Sequence, residues 1–341
     1  MNKERDITLD IAKGVSILLM TITHLNLFTN FPTLQFINKE YFVLIKMPLF
    51  IFISGLLFTN KSSFKDFFIS KFDSLIKPVI TISIIIFIVA IILSLGNNAI
   101  KETLMNSKYF LFGNIYPLWF PIALFITLVI FKLLITVKFQ LPKSYLFSST
   151  ILILLALSLL NQFNLEIYIF KFHSILYFLL IFALGYLAQK RNWLSFLFDK
   201  SIFALSSIVF FTTISLRHQL LIEVDLNMNS FGNLIPTFLM MLSGIIVILN
   251  IAKIISKSFI LSQILAKCSY SSFFILALHI LIGNEILYPV LKIFLGDNNY
   301  TAIITFILTI ISCCSIHKLI FNLKYINYLL LPIKSIKTKK V

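Results

Sequence analysis

Ten long stretches of nearly continuous apolar sequence, separated by short basic or polar linkers, constrain this chain more than any other feature. Their approximate limits are 11–29, 46–59, 78–95, 117–137, 145–160, 169–188, 201–216, 234–253, 270–291 and 301–320. Runs approaching 20 apolar residues match the thickness of a bilayer. The segments are apolar almost all round, helped by 37 phenylalanines, and a soluble fold could not cover that much surface. A 59% hydrophobic content, 12% charge and mean hydropathy of +0.98 place the chain with polytopic membrane proteins. The expected fold is all-α: a single bundle of about ten transmembrane helices over residues 1–341, with spans from roughly 11 to 320 and a basic tail at 321–341.

A formal charge of +16 invites a nucleic-acid reading, but the distribution of charge argues against one. Of the 29 Lys and Arg residues, 22 fall on one side of the alternating spans. They include Lys61, Lys65 and Lys71 in one linker, Lys253, Lys257 and Lys267 in another, and Lys334, Lys337, Lys339 and Lys340 in the tail. This bias orients membrane proteins, and it predicts that both termini are cytoplasmic. The first apolar run is read as a retained span, since polar residues interrupt it and no small-residue cleavage site follows. The lysine-rich part of the tail, after Leu331, reads as solvated or bound to lipid headgroups. Residues 62–77 read as an interfacial amphipathic helix. Ser63 and Asp66 have capping spacing there, and Phe64, Phe67, Phe68, Phe72 and Leu75 form one apolar stripe. The three cysteines define neither a disulfide framework nor a metal site. No internal repeat or matched pair of broken helices is visible.

Polar groups inside the spans are the candidate site. Lys13 and His24 are eleven residues apart, which at 100° per residue leaves about 20° of rotation, so they share a helix face about 16 Å apart. Asp10 lies three residues before Lys13 and can pair with it. An intramembrane imidazole is costly and is read first as functional, although His24 could instead hydrogen-bond a neighbouring helix. Lys13 could likewise be a topology lysine that reaches lipid phosphate. The second span, Lys46-Met47-Pro48 through Ser54-Gly55, places Pro48 in a first helical turn and Ser54 near mid-membrane, with Gly55 allowing close helix approach. Trp119 opens the fourth span, as a belt residue or a substrate platform. In the ninth span the serines Ser269, Ser271 and Ser272 can cap the start, and His279 lies about 13 Å beyond Tyr270, at a depth comparable to His24. The outer loop 217–233 carries Arg217, His218, Glu223 and Asp225, which could meet a sugar or be merely solvated.

These motifs resemble acyltransferase family 3, the membrane-bound acyl-CoA-dependent acyltransferases, with the closest likeness to its fucose 4-O-acetylase-like subgroup. The likeness rests on Arg5-Asp6-Ile7-Thr8-Leu9-Asp10 through Lys13 and His24, on Met47-Pro48-Leu49-Phe50 through Ser54-Gly55, on Leu118-Trp119-Phe120, on Gly185-Tyr186, and on Ser269 through His279. This chain departs from many relatives in having Lys13 for Arg, Lys46 for the His before Met-Pro, and Thr23 for Gly. Lys13 keeps the charge of Arg but not its fork geometry. No room remains after residue 320 for the extracytoplasmic esterase-like domain that some relatives carry.

The resemblance implies transfer of acetyl or another short acyl group from a cytoplasmic CoA thioester to a glycan hydroxyl. A sugar hydroxyl needs a positioned base at neutral pH. His24 is expected to be that base or a transient acyl acceptor. Lys13, with Asp10, would hold the CoA pyrophosphate or orient the stripe. Ser54 and His279 would polarise the thioester carbonyl or orient acceptor and base. Expected partners are acetyl-CoA as co-substrate, a surface glycan or lipid-linked sugar, membrane lipid and possible glycan-assembly proteins, with no nucleic acid and no metal. The expected location is the bacterial cytoplasmic (inner) membrane. The rival readings are a transporter or flippase using the same pocket, a structural subunit of a glycan-export machine, and a succinyl-type transferase for which Lys46 could read a distal carboxylate.

Overall fold

A computed structural model of the chain describes residues 6–25, 42–94, 117–136, 172–226, 230–323 and 325–333. The longer helices, in order, are α1 (Ile7–His24), α2 (Val43–Leu56), α3 (Phe64–Lys71), α4 (Lys77–Ser94), α5 (Trp119–Thr136), α6 (Phe172–Lys190), α7 (Lys200–Ser215), α8 (Leu234–Ile255), α9 (Phe259–Tyr270), α10 (Ser272–Ile280), α11 (Tyr288–Leu295) and α12 (Asn299–Asn322). A π-helical segment, Leu281–Leu287, joins α10 to α11, and a second, Phe72–Ile76, joins α3 to α4. The described strands are one antiparallel pair, Val224–Asp225 with Ser230–Phe231, inside the loop after α7.

Among the described residues, five helices are long and apolar enough to cross a membrane: Ile7–His24, Trp119–Thr136, Leu234–Ile255, the continuous Ser272–Leu295 and Asn299–Asn322. Three shorter apolar helices accompany them, Val43–Leu56, Ser174–Lys190 and Lys200–Ser215. Nine of the ten expected spans thus fall on helices, counting α4, and the expected span at 145–160 lies outside the described residues.

Where limits differ, local chemistry explains the difference. α1 starts early because the Asp6 side chain accepts from the Thr8 backbone N–H at 2.9 Å. It ends at His24, which is therefore a helix terminus and not the middle of a span reaching residue 29. α2 also starts early, so Pro48 is inside the helix and not in its first turn. The expected ninth span is broken at Ser271, where α9 gives way to α10. Ser271 does not cap α10 with its side chain; the hydroxyl bonds His317 instead. Cys268 lies near the end of α9 and is buried. The interfacial helix forms as expected, with Ser63 accepting from the Asp66 N–H at 3.1 Å. The lysine-rich tail after Leu331 lies, from residue 334 on, outside the described residues, and the segment leading to it is packed. Leu330 and Leu331 pack against Val79, Ile82 and Phe274, and Lys77 donates to the Leu331 carbonyl at 2.8 Å.

Close backbone approach sets the centre of the bundle. α1 is surrounded by α2, α8, α9 and α10. A Cβ on Gly14 would stand 2.1 Å from the Leu265 carbonyl oxygen of α9. α2 and α6 meet glycine against backbone: a Cβ on Gly55 would lie 2.2 Å from the Phe182 oxygen, and one on Gly185 would lie 2.1 Å from the Phe52 oxygen. Small residues at such crossings let whole helices pack in van der Waals contact, the main source of helix association in lipid. Next to this crossing, Phe58 is ringed by Phe67, Phe131, Phe182 and Tyr186, all edge-on at 5.4–5.6 Å between centroids.

Candidate active site

The last turn of α1 leaves backbone carbonyls that no later helical N–H can reach. The carbonyl of His24 is one of them, and it accepts a hydrogen bond from the Asn284 side-chain amide at 3.2 Å. Asn284 belongs to the π-helical segment, and five residues before it, on α10, stands His279. The two imidazoles meet, with ring centroids 5.5 Å apart and planes inclined by 35°. Two histidines separated by 255 positions (279 − 24) in sequence are thus neighbours inside the bundle.

His279 is fully buried. Its Nδ1 lies 2.8 Å from the Ile275 carbonyl oxygen and 2.9 Å from that of Leu276. Carbonyl oxygens only accept, so Nδ1 must carry the proton. Nε2 of the neutral ring then carries a lone pair and no hydrogen. That atom is buried and has no hydrogen-bond partner among the described residues. A basic nitrogen of fixed tautomer therefore stands beside His24, aimed by its own helix.

Lys46 completes the cluster. It is 4% exposed, which is rare for a lysine unless partnered. Its ammonium donates to Thr23 Oγ1, next to His24, and its backbone carbonyl accepts from the Ser16 hydroxyl. Lys46 and His279 both lie within electrostatic reach of His24. From sequence alone, Lys46 stands out as a departure from the family likeness and as a candidate cation for a distal carboxylate. A charge two residues before a proline, in an otherwise apolar run, was itself the signal of an intramembrane functional group. Asn284 carried no comparable signal, because α-helical winding would turn it away from His279.

The other expected residues lie elsewhere. The Lys13 ammonium sits over the Phe50 ring, 5.2 Å from its centroid, and Asp10 is buried on the same helix. Ser54 donates to the Phe50 carbonyl of its own helix at 2.8 Å. Trp119 is not a belt residue: it is 6% exposed and stacks on Phe178 with ring planes 12° apart. A chain of edge contacts, Phe50 to Phe120 to Phe178, connects the Lys13 region to Trp119. In the loop after α7, Arg217 donates to the Ile222 carbonyl at 2.9 Å and so braces the loop itself.

A bundle of membrane-length apolar helices enclosing two facing imidazoles and a buried ammonium defines a multi-pass membrane protein with an intramembrane basic centre. Its family is also identified. The model of the acyltransferase domain matches residues 6–318 of the 341, and the chain belongs to acyltransferase family 3. No curated protein and no solved structure matches it.

Proposed function

We propose that the protein is an acyl-CoA-dependent O-acyltransferase, carrying acetyl from acetyl-CoA to a hydroxyl of a bacterial surface polysaccharide or its lipid-linked precursor. The observation that carries this reading is the bare Nε2 of His279 beside His24. An acceptor hydroxyl gives its proton to that lone pair while its oxygen attacks the thioester carbonyl. The C–O bond forms, the C–S bond breaks, and CoA leaves as the thiol once the imidazolium returns the proton. In this tautomer Nε2 cannot polarise a carbonyl, because it has no hydrogen to donate. The base role therefore belongs to His279. His24 and the Lys46 ammonium supply the donor and the positive charge at the developing oxyanion.

Lys13 lies about 16 Å along α1 from His24. An extended donor can therefore place its thioester at the histidines and its phosphates near Lys13, with Asp10 orienting the lysine. Trp119 shapes the apolar wall through Phe178 and Phe120, and Ser54 has no chemical step. Ten spans with both termini in the cytoplasm of the inner membrane put Lys13 on the donor side. The subgroup resemblance and the basic-residue bias support that arrangement.

The test is transfer of labelled acetyl from acetyl-CoA to the host's surface glycan by protein in lipid. His24→Ala and His279→Gln are each expected to lower the rate at least a hundredfold. Wild-type rates in His279→Gln would refute the base assignment. Acetyl retained on the wild-type protein but absent from His279→Gln would show that Nε2 attacks the thioester itself.

A further inference from the structure

The chemistry assigned above uses the half-buried His24 and the buried His279, and leaves another buried histidine, His317 of α12. Ser271, in the break between α9 and α10, lies with its Oγ 2.9 Å from His317 Nδ1. Both residues are buried, at 4% and 5% exposure. The imidazole is sandwiched between Phe274, at 4.7 Å and 18°, and Tyr270, at 4.7 Å and 31°. Two thiols lie close by in sequence: Cys314, three residues before His317 on α12, and Cys268, three residues before Ser271 on α9.

We propose that Ser271 and His317 form a second reactive centre, a serine nucleophile and its base, that captures an acyl group from a thioester. Two features of the arrangement fit that chemistry. The Ser–His separation is that of a proton-transfer pair. The faces of Phe274 and Tyr270 favour a cation beside them, so they stabilise the imidazolium that forms as the serine attacks. In the step, Ser271 Oγ–H gives its proton to His317 Nδ1 and Oγ bonds the acyl carbon. The C–S bond then breaks, and the leaving thiolate takes the proton from His317. The products are acyl-Ser271 and free thiol.

The dyad is a separate station and not a third member of the histidine pair. Eight residues of α10 put His279 about 12 Å further along the axis. Tyr270, 55% exposed, lies against the imidazole, so the stack that holds His317 extends to the surface.

The identity of the thioester rests on the proposed function, so the experiment has one arm that needs acyl-CoA and one that does not. Protein in lipid nanodiscs is incubated with labelled acetyl-CoA without acceptor, acid-quenched and mapped by peptide mass spectrometry. A parallel sample is treated with a fluorophosphonate, which tags activated serines irrespective of donor. The expected result is label on Ser271 in both arms. It should be lost in Ser271→Ala and lowered at least tenfold in His317→Phe, which keeps the stack but removes Nδ1. It should be restored as a hydroxylamine-labile thioester in Ser271→Cys and retained in Cys268→Ala/Cys314→Ala. Fluorophosphonate label on Ser271 with no acetyl label would uphold the nucleophile and refute acetyl-CoA as its donor. Two results would overturn the dyad and leave the proposed function standing. One is glycan transfer at the wild-type rate in Ser271→Ala with no label on Ser271 in either arm. The other is label on Cys314 in its place.

Discussion

The crossing of α2 and α6 offers a prediction whose size follows from the geometry. A Cβ added to Gly55 would stand 2.2 Å from the Phe182 oxygen, and one added to Gly185 would stand 2.1 Å from the Phe52 oxygen. Ordinary contact begins near 3.4 Å, so either alanine must push the two backbones apart by about 1.2 Å. A gap of that size forfeits much of the dispersion energy across the surrounding pairs. Overpacking of this kind costs about 1–3 kcal/mol. Both clashes are relieved by the same separation. Gly55→Ala with Gly185→Ala should therefore cost little more than the worse single change, well short of the sum. Equilibrium or thermal unfolding of the four proteins in one lipid or detergent measures the coupling as a double-mutant cycle. Additive losses, or a Gly55→Ala protein as stable as wild type, would refute the claim that one contact line holds α2 to α6. Because α2 carries Lys46, the single variants should also lose transfer activity at temperatures where they remain folded.

Other substitutions separate structural from chemical roles. Ser54→Ala removes a hydroxyl that bonds within its own helix, so its transfer rate should stay within about threefold of wild type, consistent with the small net value of such bonds. Trp119→Ala should lower stability by about 3–5 kcal/mol through loss of a buried stack, with KM for the donor nearly unchanged in protein that remains folded. Lys46→Met keeps the volume of the buried chain and removes its charge. A fall in kcat of tenfold or more without loss of folding would support its electrostatic role, and an unchanged kcat would exclude it. Lys132, buried where it donates to Asn60 and to the Ser62 carbonyl, fastens the turn after α2. Lys132→Met should therefore increase proteolysis in residues 57–63 before it changes turnover.

Much of the architecture was legible because lipid imposes it. Apolar runs of bilayer length and basic linkers located nine spans, and the Ser63–Asp66 cap the interfacial helix, to within about five residues at their ends. The resemblance carried by Lys13, His24 and the Met47-Pro48 segment pointed to the family that the domain match establishes. What escaped was governed by tertiary contact. Trp119 read as a belt residue because its neighbours in sequence are apolar whether it faces lipid or Phe178. Ser271 read as a cap because capping is a local habit of serine, while its actual partner, His317, lies on another helix. The packing of Leu330 and Leu331 against α4 and α10 left no signal either, because two leucines look the same in sequence whether they meet protein or lipid.

The least legible feature, the change of winding after Ile280, does most to assemble the site. At 100° per residue, the five positions from His279 to Asn284 turn through 500°, leaving the two side chains about 140° apart on a regular α-helix. The π-helical segment beginning at Leu281 winds more slowly, with bonds from i to i+5, and brings a residue five positions on back toward the same side. His279 can then face the His24 ring while Asn284 reaches the His24 carbonyl. One residue of α1 is thus gripped at its side chain and at its backbone by consecutive turns of a single helix. Asn284→Leu tests that grip. It leaves the His24 carbonyl without this donor, a loss of about 1–3 kcal/mol if the group is sealed from water. It should also lower kcat by freeing the end of α1, while the amide-retaining Asn284→Gln recovers part of the rate. If Asn284→Leu kept both wild-type stability and wild-type kcat, the π segment would be a packing irregularity with no part in positioning His24.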